Sequence, residues 1–397
     1  MMIPVVRQQY NQTFSVAKYE ALKAALAAET GITPAFRIAE TPVFVPAPLK
    51  QQLLDAGESI IDLLLQPDFR ELTEMAIPKG QHVPKENGRS SFVIIDFAVT
   101  RAEDGSLAPQ LIELQGFPSL FAFQELLAEQ FRQQFDIPAG LSSFPEQMDA
   151  AAYKALLQRT ILNGHPPEAV VLLEVLPQQQ KTLIDFAGTE KMLGIPVICV
   201  SALIQEGKKL YYDRDGKKTR IRRIYNRMIF EDLEKYRTEL GAAVDFQHEL
   251  DVEWAPHPNW YYRISKYLLP LIHGPFAPKA WFLHEIPVLP QDLDNYVLKP
   301  LFSFAGQGVI IDPTPADINA IKDPENWILQ QKVQYAPVIE TPTGPAKCEI
   351  RMMYCWPDDA PRPILAHSLA RLSKGKMIGV AYNADQEWVG GSCCFFE

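Results

Sequence analysis

The chain has no long apolar run. Its richest stretches, FVII at 92–95 and AVVLL at 169–173, fall far short of the roughly 18 residues a membrane-spanning helix needs, so no span is expected. The opening MMIPVVRQQYNQ lacks the basic stretch, apolar run and small-residue cleavage pattern of a secretory leader, and a cytoplasmic location is the expectation. Basic charge is also scarce. With 38 Lys and Arg against 48 Asp and Glu, the formal net charge is −10, which argues against a surface built to neutralise nucleic-acid phosphates. The one basic cluster, GKKTRIRRIYNR at 216–227, reads as a solvated hairpin or an anionic small-ligand site. Five cysteines without C-x-x-C spacing indicate neither zinc nor a disulfide framework, and adjacent Cys393 and Cys394 read as small buried hydrophobes. Seven histidines show no H-E-x-x-H spacing, which argues against a histidine metal site.

What is present suits a globular protein of two or three domains: 397 residues, 47% hydrophobic and 22% charged. FSVAKYEALKAALAAET at 14–30 is rich in helix formers, and 50–66 repeats the pattern with Leu, Ile and Ala at helical spacing. The period then changes. SFVIIDFAV at 91–99 and PQLIELQ at 109–115 read as two strands joined by the turn AEDGS, a β-hairpin. Residues 121–134 return to helical composition, and Pro138-Ala-Gly begins a looser stretch. From Glu168 the order is strand (AVVLLEVL), helix ended by Gly194, strand (IPVICVSA), which implies a parallel sheet with a crossover helix. A second hairpin turns at 213–216. After WAPHPNWYY at 254–262 a new region brings its own strands, YVLKPLF and GVIID.

Two segments carry chemistry. In YVLKPLFSFAGQGVIID at 296–312, a strand delivers Lys299 and a small-residue turn follows with Gly306 and Gly308. Backbone N–H groups of such a loop can donate to phosphate oxygens while the ammonium offsets their charge, although an ordinary hairpin with a snorkelling lysine has the same pattern. It is neither a Walker loop nor a dinucleotide fingerprint. In the first hairpin, Asp96, Glu113 and Gln115 share one face of a sheet. Magnesium prefers such oxygen ligands; a polar stripe on a half-buried sheet is the alternative.

Together these segments resemble the ATP-grasp ligases. IIDF at 94–97, ELQ at 113–115 and FPSL at 117–120 stand where that family's metal hairpin has Arg-x-Asp-Phe, Glu-x-Asn and a Pro-containing loop. VLKPLFSFAGQGVII resembles the lysine strand and phosphate-covering loop. The resemblance is closest to the glutathionylspermidine-synthase-like branch, where the metal hairpin precedes the lysine strands, as it does here. IRRIYNRMIFEDL at 221–233 resembles that branch's Rossmann-like domain boundary, RISKYLLPLI at 263–272 its first lysine segment, and WILQQKVQYAPVI at 327–339 its adenine-reading hinge. Residues 1–80 resemble no family we can name.

The resemblance implies an α/β (α+β) protein: an ATP-grasp fold with permuted segment order plus a Rossmann-like pre-ATP-grasp domain. Residues 1–140 would hold the helical segment and metal hairpin, 150–255 the Rossmann-like domain, and 256–397 the nucleotide-binding lobes. The implied activity is ATP- and magnesium-dependent joining of a small carboxylate to an amine (amino acid, peptide or polyamine) through an acyl phosphate. Lys266 and Lys299 would contact phosphates, with Ser303, Gly306, Gln307 and Gly308 closing over them. Gln331, Lys332 and Val333 would hold adenine, and Asp96, Glu113 and Gln115 would ligate magnesium. Two positions depart from the pattern: Ile94 replaces the arginine and Gln115 the asparagine. Arg351 or Arg371 is expected to substitute for that arginine. Asn383, ahead of Gly390-Gly391, stands where the family has a late asparagine, though a plain loop fits it equally, and a structural ion pair fits Glu349 and Arg351. A catalytically degenerate nucleotide binder and an ATP-dependent phosphotransferase are the rival functions.

Overall fold

The computed structural model describes residues 2–241, 244–303, 306–376, 378–379, 383 and 385–397. Residues 304 and 305 of the expected phosphate-covering loop lie outside the described residues.

Helix α1 (Val16–Thr30) begins where the Ser15 side chain accepts from the Lys18 N–H, and α2 (Ala47–Leu64) begins on Pro46 and Pro48. The predicted hairpin is present as β1 (Phe92–Arg101) and β2 (Leu107–Gln115), antiparallel, with a register shift between Asp96 and Phe97. Nine of the ten β1 residues are buried, so the strand reads as a continuous apolar run. Both its faces are covered: Val93, Ile95, Phe97 and Val99 pack into one core with Leu49, Leu53 and Ile60 of α2, while Phe92 and Ile94 enter another. That second core also holds Phe121 of α3 (Phe121–Gln134) and Tyr153 and Leu157 of α4 (Ala150–Leu162).

The βαβ unit follows as β3 (Val170–Glu174), α5 (Leu183–Leu193) and β4 (Val197–Cys199), with β3 and β4 parallel. The hairpin of β5 (Lys209–Arg214) and β6 (Lys217–Ile221) leads into β7 (Arg223–Asn226), and β8 (Glu253–Ala255) completes a parallel sheet in the order β8–β7–β3–β4. Strand order reverses across β3, so the crevice at the carboxyl ends of β3 and β7 is a topological switch point.

The last third supplies two sheets. β9 (Ala280–Phe282), β10 (Tyr296–Pro300), β11 (Ile310–Ile311) and β12 (Trp327–Gln331) form an antiparallel sheet in the order β9–β12–β10–β11. β13 (Lys347–Cys355), β14 (Ile364–Ser373) and β15 (Gly390–Ser392) return to the first hairpin, giving the order β15–β14–β13–β1–β2. Strands some 250 residues apart in sequence thus share one sheet. Among the described residues no helix is long and apolar enough to cross a membrane.

Candidate functional site

Sheet register brings the charged side chains together. Glu113 on β2, Asp96 on β1 and Arg351 on β13 are direct cross-strand neighbours, and Glu349 on β13 faces Arg371 on β14. Arg351 opposite Asp96 and Arg371 opposite Glu349 stabilise the pairing, whereas Glu113 opposite Asp96 sets two like charges face to face. Asp96 is fully buried; it accepts from Nε and Nη2 of Arg351 at 2.7 Å each and from Nη2 of Arg371 at 2.5 Å. Burial alone would push its carboxyl up, but Arg351 and then Arg371 outweigh burial and hold it below the usual carboxylate range. Glu349 accepts from the Tyr335 hydroxyl at 2.7 Å and pairs with Arg371, yet burial still raises its carboxyl. Burial works against the Arg371 charge too; Glu349, Asp96 and Glu113 more than offset it and raise its pKa.

The lysines arrive from other elements. A Cβ on Gly116 would lie 2.4 Å from the Trp260 carbonyl oxygen, so glycine is required for this segment to approach the end of β2. The Gly116 N–H then donates to Ile264 at 2.7 Å, and Lys266 follows two residues later. Lys266 opens a 3₁₀ turn (Lys266–Leu271) capped by Ser265, with Pro270 inside the segment. Lys266 Nζ donates to the Ser303 carbonyl at 2.8 Å and lies 3.8 Å from Glu113 Oε2. Lys299, from β10, donates to the Ile112 carbonyl at 3.0 Å. Burial lowers both ammonium groups, Lys299 to about 8 with Glu113 opposing the shift.

These groups line a cavity of about 300 Å³ between the two antiparallel sheets. Glu113, Lys266, Lys299, Glu349 and Arg371 line its inner part, and Asp312, Lys332, Lys347 and Lys376 add further charge; Val297, Ile311 and Val333 give it apolar wall, beside the stretch Gln330 to Tyr335. Charged and polar groups converging beside apolar wall suit a charged small molecule with an apolar part. Of the residues expected from sequence, Glu113, Lys266, Lys299, Gly306, Gln331, Lys332, Val333 and Arg371 line this cavity. Lys332 is tied to Asp312 and to the Asp294 carbonyl. Ser303 and Gln115 line a smaller recess that shares Lys266, and Gln307 and Gly308 are not among the lining residues.

Three expected residues are placed differently. Arg351 grips Asp96 and does not line the cavity. Asn383 accepts from the Ser373 hydroxyl at 2.8 Å and donates to the Gly379 carbonyl at 3.0 Å, closing the loop after β14. Asp96, expected as a magnesium ligand, has both oxygens bonded to arginine. Gln115 donates its amide N–H to Glu113 Oε1 at 2.9 Å, which leaves its own oxygen as a donor atom for a cation. Among the described residues no group of three or more His, Cys, Asp or Glu is arranged to hold a metal. Glu113 and Gln115 fit a magnesium ion carried in by phosphates; Asp96 does not.

Sequence reasoning missed Tyr335 and Arg227. Arg227 follows β7 at the switch point, is only 4% exposed, and lies 4.7 Å from the Phe117 ring centroid and 5.5 Å from that of Phe186. Its Nε and Nη1 have no hydrogen-bond partner among the described residues. Burial pushes the carboxyl of Glu174, at the end of β3, up to about 8 against the pull of Arg227. The basic run at 216–227 held the only signal, and there Lys217 and Lys218 are exposed while Arg223 and Arg227 are buried. Phe117 contacts Tyr261, which lines the smaller recess, so Arg227 sits one ring away from it.

No family model and no curated protein matches the chain. Among solved structures it is similar to the apo form of a glutathione synthetase-like effector from Globodera pallida, with a TM-score of 0.59 and 13% identity, over 100% of this chain and 99% of that one. This likeness shows the fold: the chain is a mixed α/β protein with a glutathione synthetase-like fold, compatible with the ATP-grasp expectation.

Proposed function

We propose that this protein is an ATP-dependent ligase of the ATP-grasp type, with the permuted segment order of the glutathionylspermidine-synthase-like branch, joining a small carboxylate to an amine. The observation that carries this reading is the convergence of Lys266, Lys299 and Arg371 on one cavity with apolar wall beside a strand end. The three cations suit a polyphosphate; Val297, Ile311 and Val333, next to the main chain of 331–333, suit adenine. Magnesium enters with ATP as part of the substrate, and Glu113 and Gln115 are the protein oxygens open to it.

The γ-phosphoryl group passes to the carboxylate with release of ADP. The amine then attacks the acyl carbon, releasing phosphate and a proton. Lys299 and Arg371 hold charge on the transferred group. No covalent protein nucleophile is needed, because positioning and electrostatic stabilisation supply the acceleration. The partners are a small acid and an amine (amino acid, peptide or polyamine), not nucleic acid or membrane, in a cytoplasmic setting. ADP release measured against a panel of these compounds tests the reading: release only when acid and amine are both present supports it, and absence of ATP binding overturns it.

A second reading is a nucleotide binder without turnover. The engagement of Asp96 by two arginines favours it, and the structural relative is described as an effector. ATP binding without ADP release under any pair would select that reading. Phosphorylation of an acceptor without an amine would select a phosphotransferase.

A further inference from the structure

The donor set around Asp96 disagrees with the cation-ligand role that the sequence resemblance implies for it. Three of the roughly four acceptor positions of a carboxylate are already used by guanidinium N–H groups, at 2.7, 2.7 and 2.5 Å. A magnesium ion would need an oxygen at about 2.0–2.1 Å, inside the space of those donors, and would sit against two cationic forks. Asp96 has no exposed surface through which an ion could reach it. Arg351 meets it bidentately from the facing position on the next strand, the geometry that makes such pairs strong. Arg371 differs from Arg351. Its side chain is 19% exposed, lines the cavity, and keeps a buried Nε without a hydrogen-bond partner among the described residues.

We propose that Asp96 is a positioning residue whose carboxylate, locked by Arg351, fixes the Arg371 guanidinium on the cavity wall, so that arginine supplies the charge a second metal ion would otherwise bring. Three carboxylates (Asp96, Glu113, Glu349) then face four cations (Arg351, Arg371, Lys266, Lys299), a balance that needs no ion at Asp96. The carboxylate keeps the planar fork from turning toward Glu349 alone and leaves Nε for an incoming oxygen. That Arg371 meets a phosphate rests on the ligase reading; that Asp96 binds arginine instead of a metal does not.

The test has two arms. Mn²⁺ uptake by the unliganded protein, followed by electron paramagnetic resonance, requires no nucleotide. Parent and Asp96→Asn should take up Mn²⁺ with affinities within about twofold, whereas a tenfold or greater loss in folded Asp96→Asn overturns the proposal. Should that variant fail to fold, Asp96→Asn with Arg351→Met removes both halves of the buried pair, and the same two outcomes apply. In the second arm, ATP affinity in EDTA should fall about tenfold in Arg371→Met and in Asp96→Asn (made with Arg351→Met if needed), and no further when Arg371→Met is combined with it. Additive losses overturn the claim that Asp96 acts through Arg371. Failure of the parent to bind ATP would sink the ligase reading, while the Mn²⁺ arm would still decide the role of Asp96.

Discussion

In the five-stranded sheet, Asp96, Glu349, Arg351 and Arg371 pair with one another across adjacent strands, whereas at the ends of the parallel strands Arg227 keeps two nitrogens without partners near two carboxyls that burial raises. The first group is closed except at Arg371 Nε, and the second is open. A closed network holds a shape, and removing one member strands the others. An open cation between two aromatic rings holds little of the fold together and has capacity left for a ligand. Equal burial therefore conceals different tasks, and the hydrogen-bond inventory distinguishes them.

Stability separates the two groups most sharply. Asp96→Asn should cost about 3–5 kcal/mol, because it leaves two buried guanidinium groups with one carboxylate. Arg227→Met should change stability by less than about 1 kcal/mol, since an apolar chain replaces a charge with unmet donors. Urea unfolding of both variants checks this, and equal losses would erase the distinction. Next in size is Glu113, the acid at the edge of the closed group. Glu113→Gln should lower ADP release by about 10² to 10³ with ATP affinity little changed, and Gln115→Asn should be tolerated. Steady-state rates decide it; unaltered turnover in Glu113→Gln would remove that carboxylate from the chemistry.

The local parts of this arrangement were legible and the long-range parts were not. The hairpin announced itself through two strand-like segments around the turn AEDGS, α3 has the expected limits 121–134, and Gly194 ends α5 as read. Lys299 and Glu113 lie in segments whose own pattern marks them, whereas Lys266 was marked only by the family resemblance. The partners of Asp96 lie on strands about 255 and 275 residues away, and no local periodicity encodes the register between β1 and β13. Arg227 was hidden for a related reason: the basic run it ends begins with solvated Lys217 and Lys218, while its neighbours in space are Phe117 and Phe186. The parallel pairing of Val43–Val45 with Cys394–Phe396 is equally beyond local pattern, and it ties the otherwise unrecognised first segment to the end of the chain.

Protonation sharpens the contrast further. The folded-state pKa of Glu174 is raised from 4.5 to about 8, so the native state holds a proton that the unfolded chain lacks between those values. The associated stability is present below pH 4.5 and is lost as pH rises toward 8. Melting curves at constant ionic strength should show the parent losing on the order of 3 kcal/mol across pH 5–8 relative to Glu174→Gln. Parallel curves for the two proteins would mean that Glu174 is already ionised in the native state.

The smallest expected effect concerns Lys299, whose pKa burial lowers from 10.5 to about 8. Below pH 8 the free protein carries the ammonium and binds phosphates with no proton exchange; above it, binding must draw a proton back onto the lysine. ATP affinity should therefore be flat from pH 6 to 7 and fall by up to about tenfold between pH 8 and 9. Calorimetry at pH 8.5 in two buffers of different ionisation enthalpy should report uptake of about three quarters of a proton, and Lys299→Arg should abolish both the uptake and the pH dependence. Fold stability moves the other way: between pH 8 and 10.5 the unfolded chain binds the extra proton, so this lysine's contribution rises with pH. Weaker ATP binding at pH 9 consequently cannot be assigned to unfolding at Lys299. If the parent binds ATP above pH 8 without taking up a proton, the ammonium does not face the phosphates, and the β10 lysine leaves the nucleotide site while the closed arginine network stays as it is.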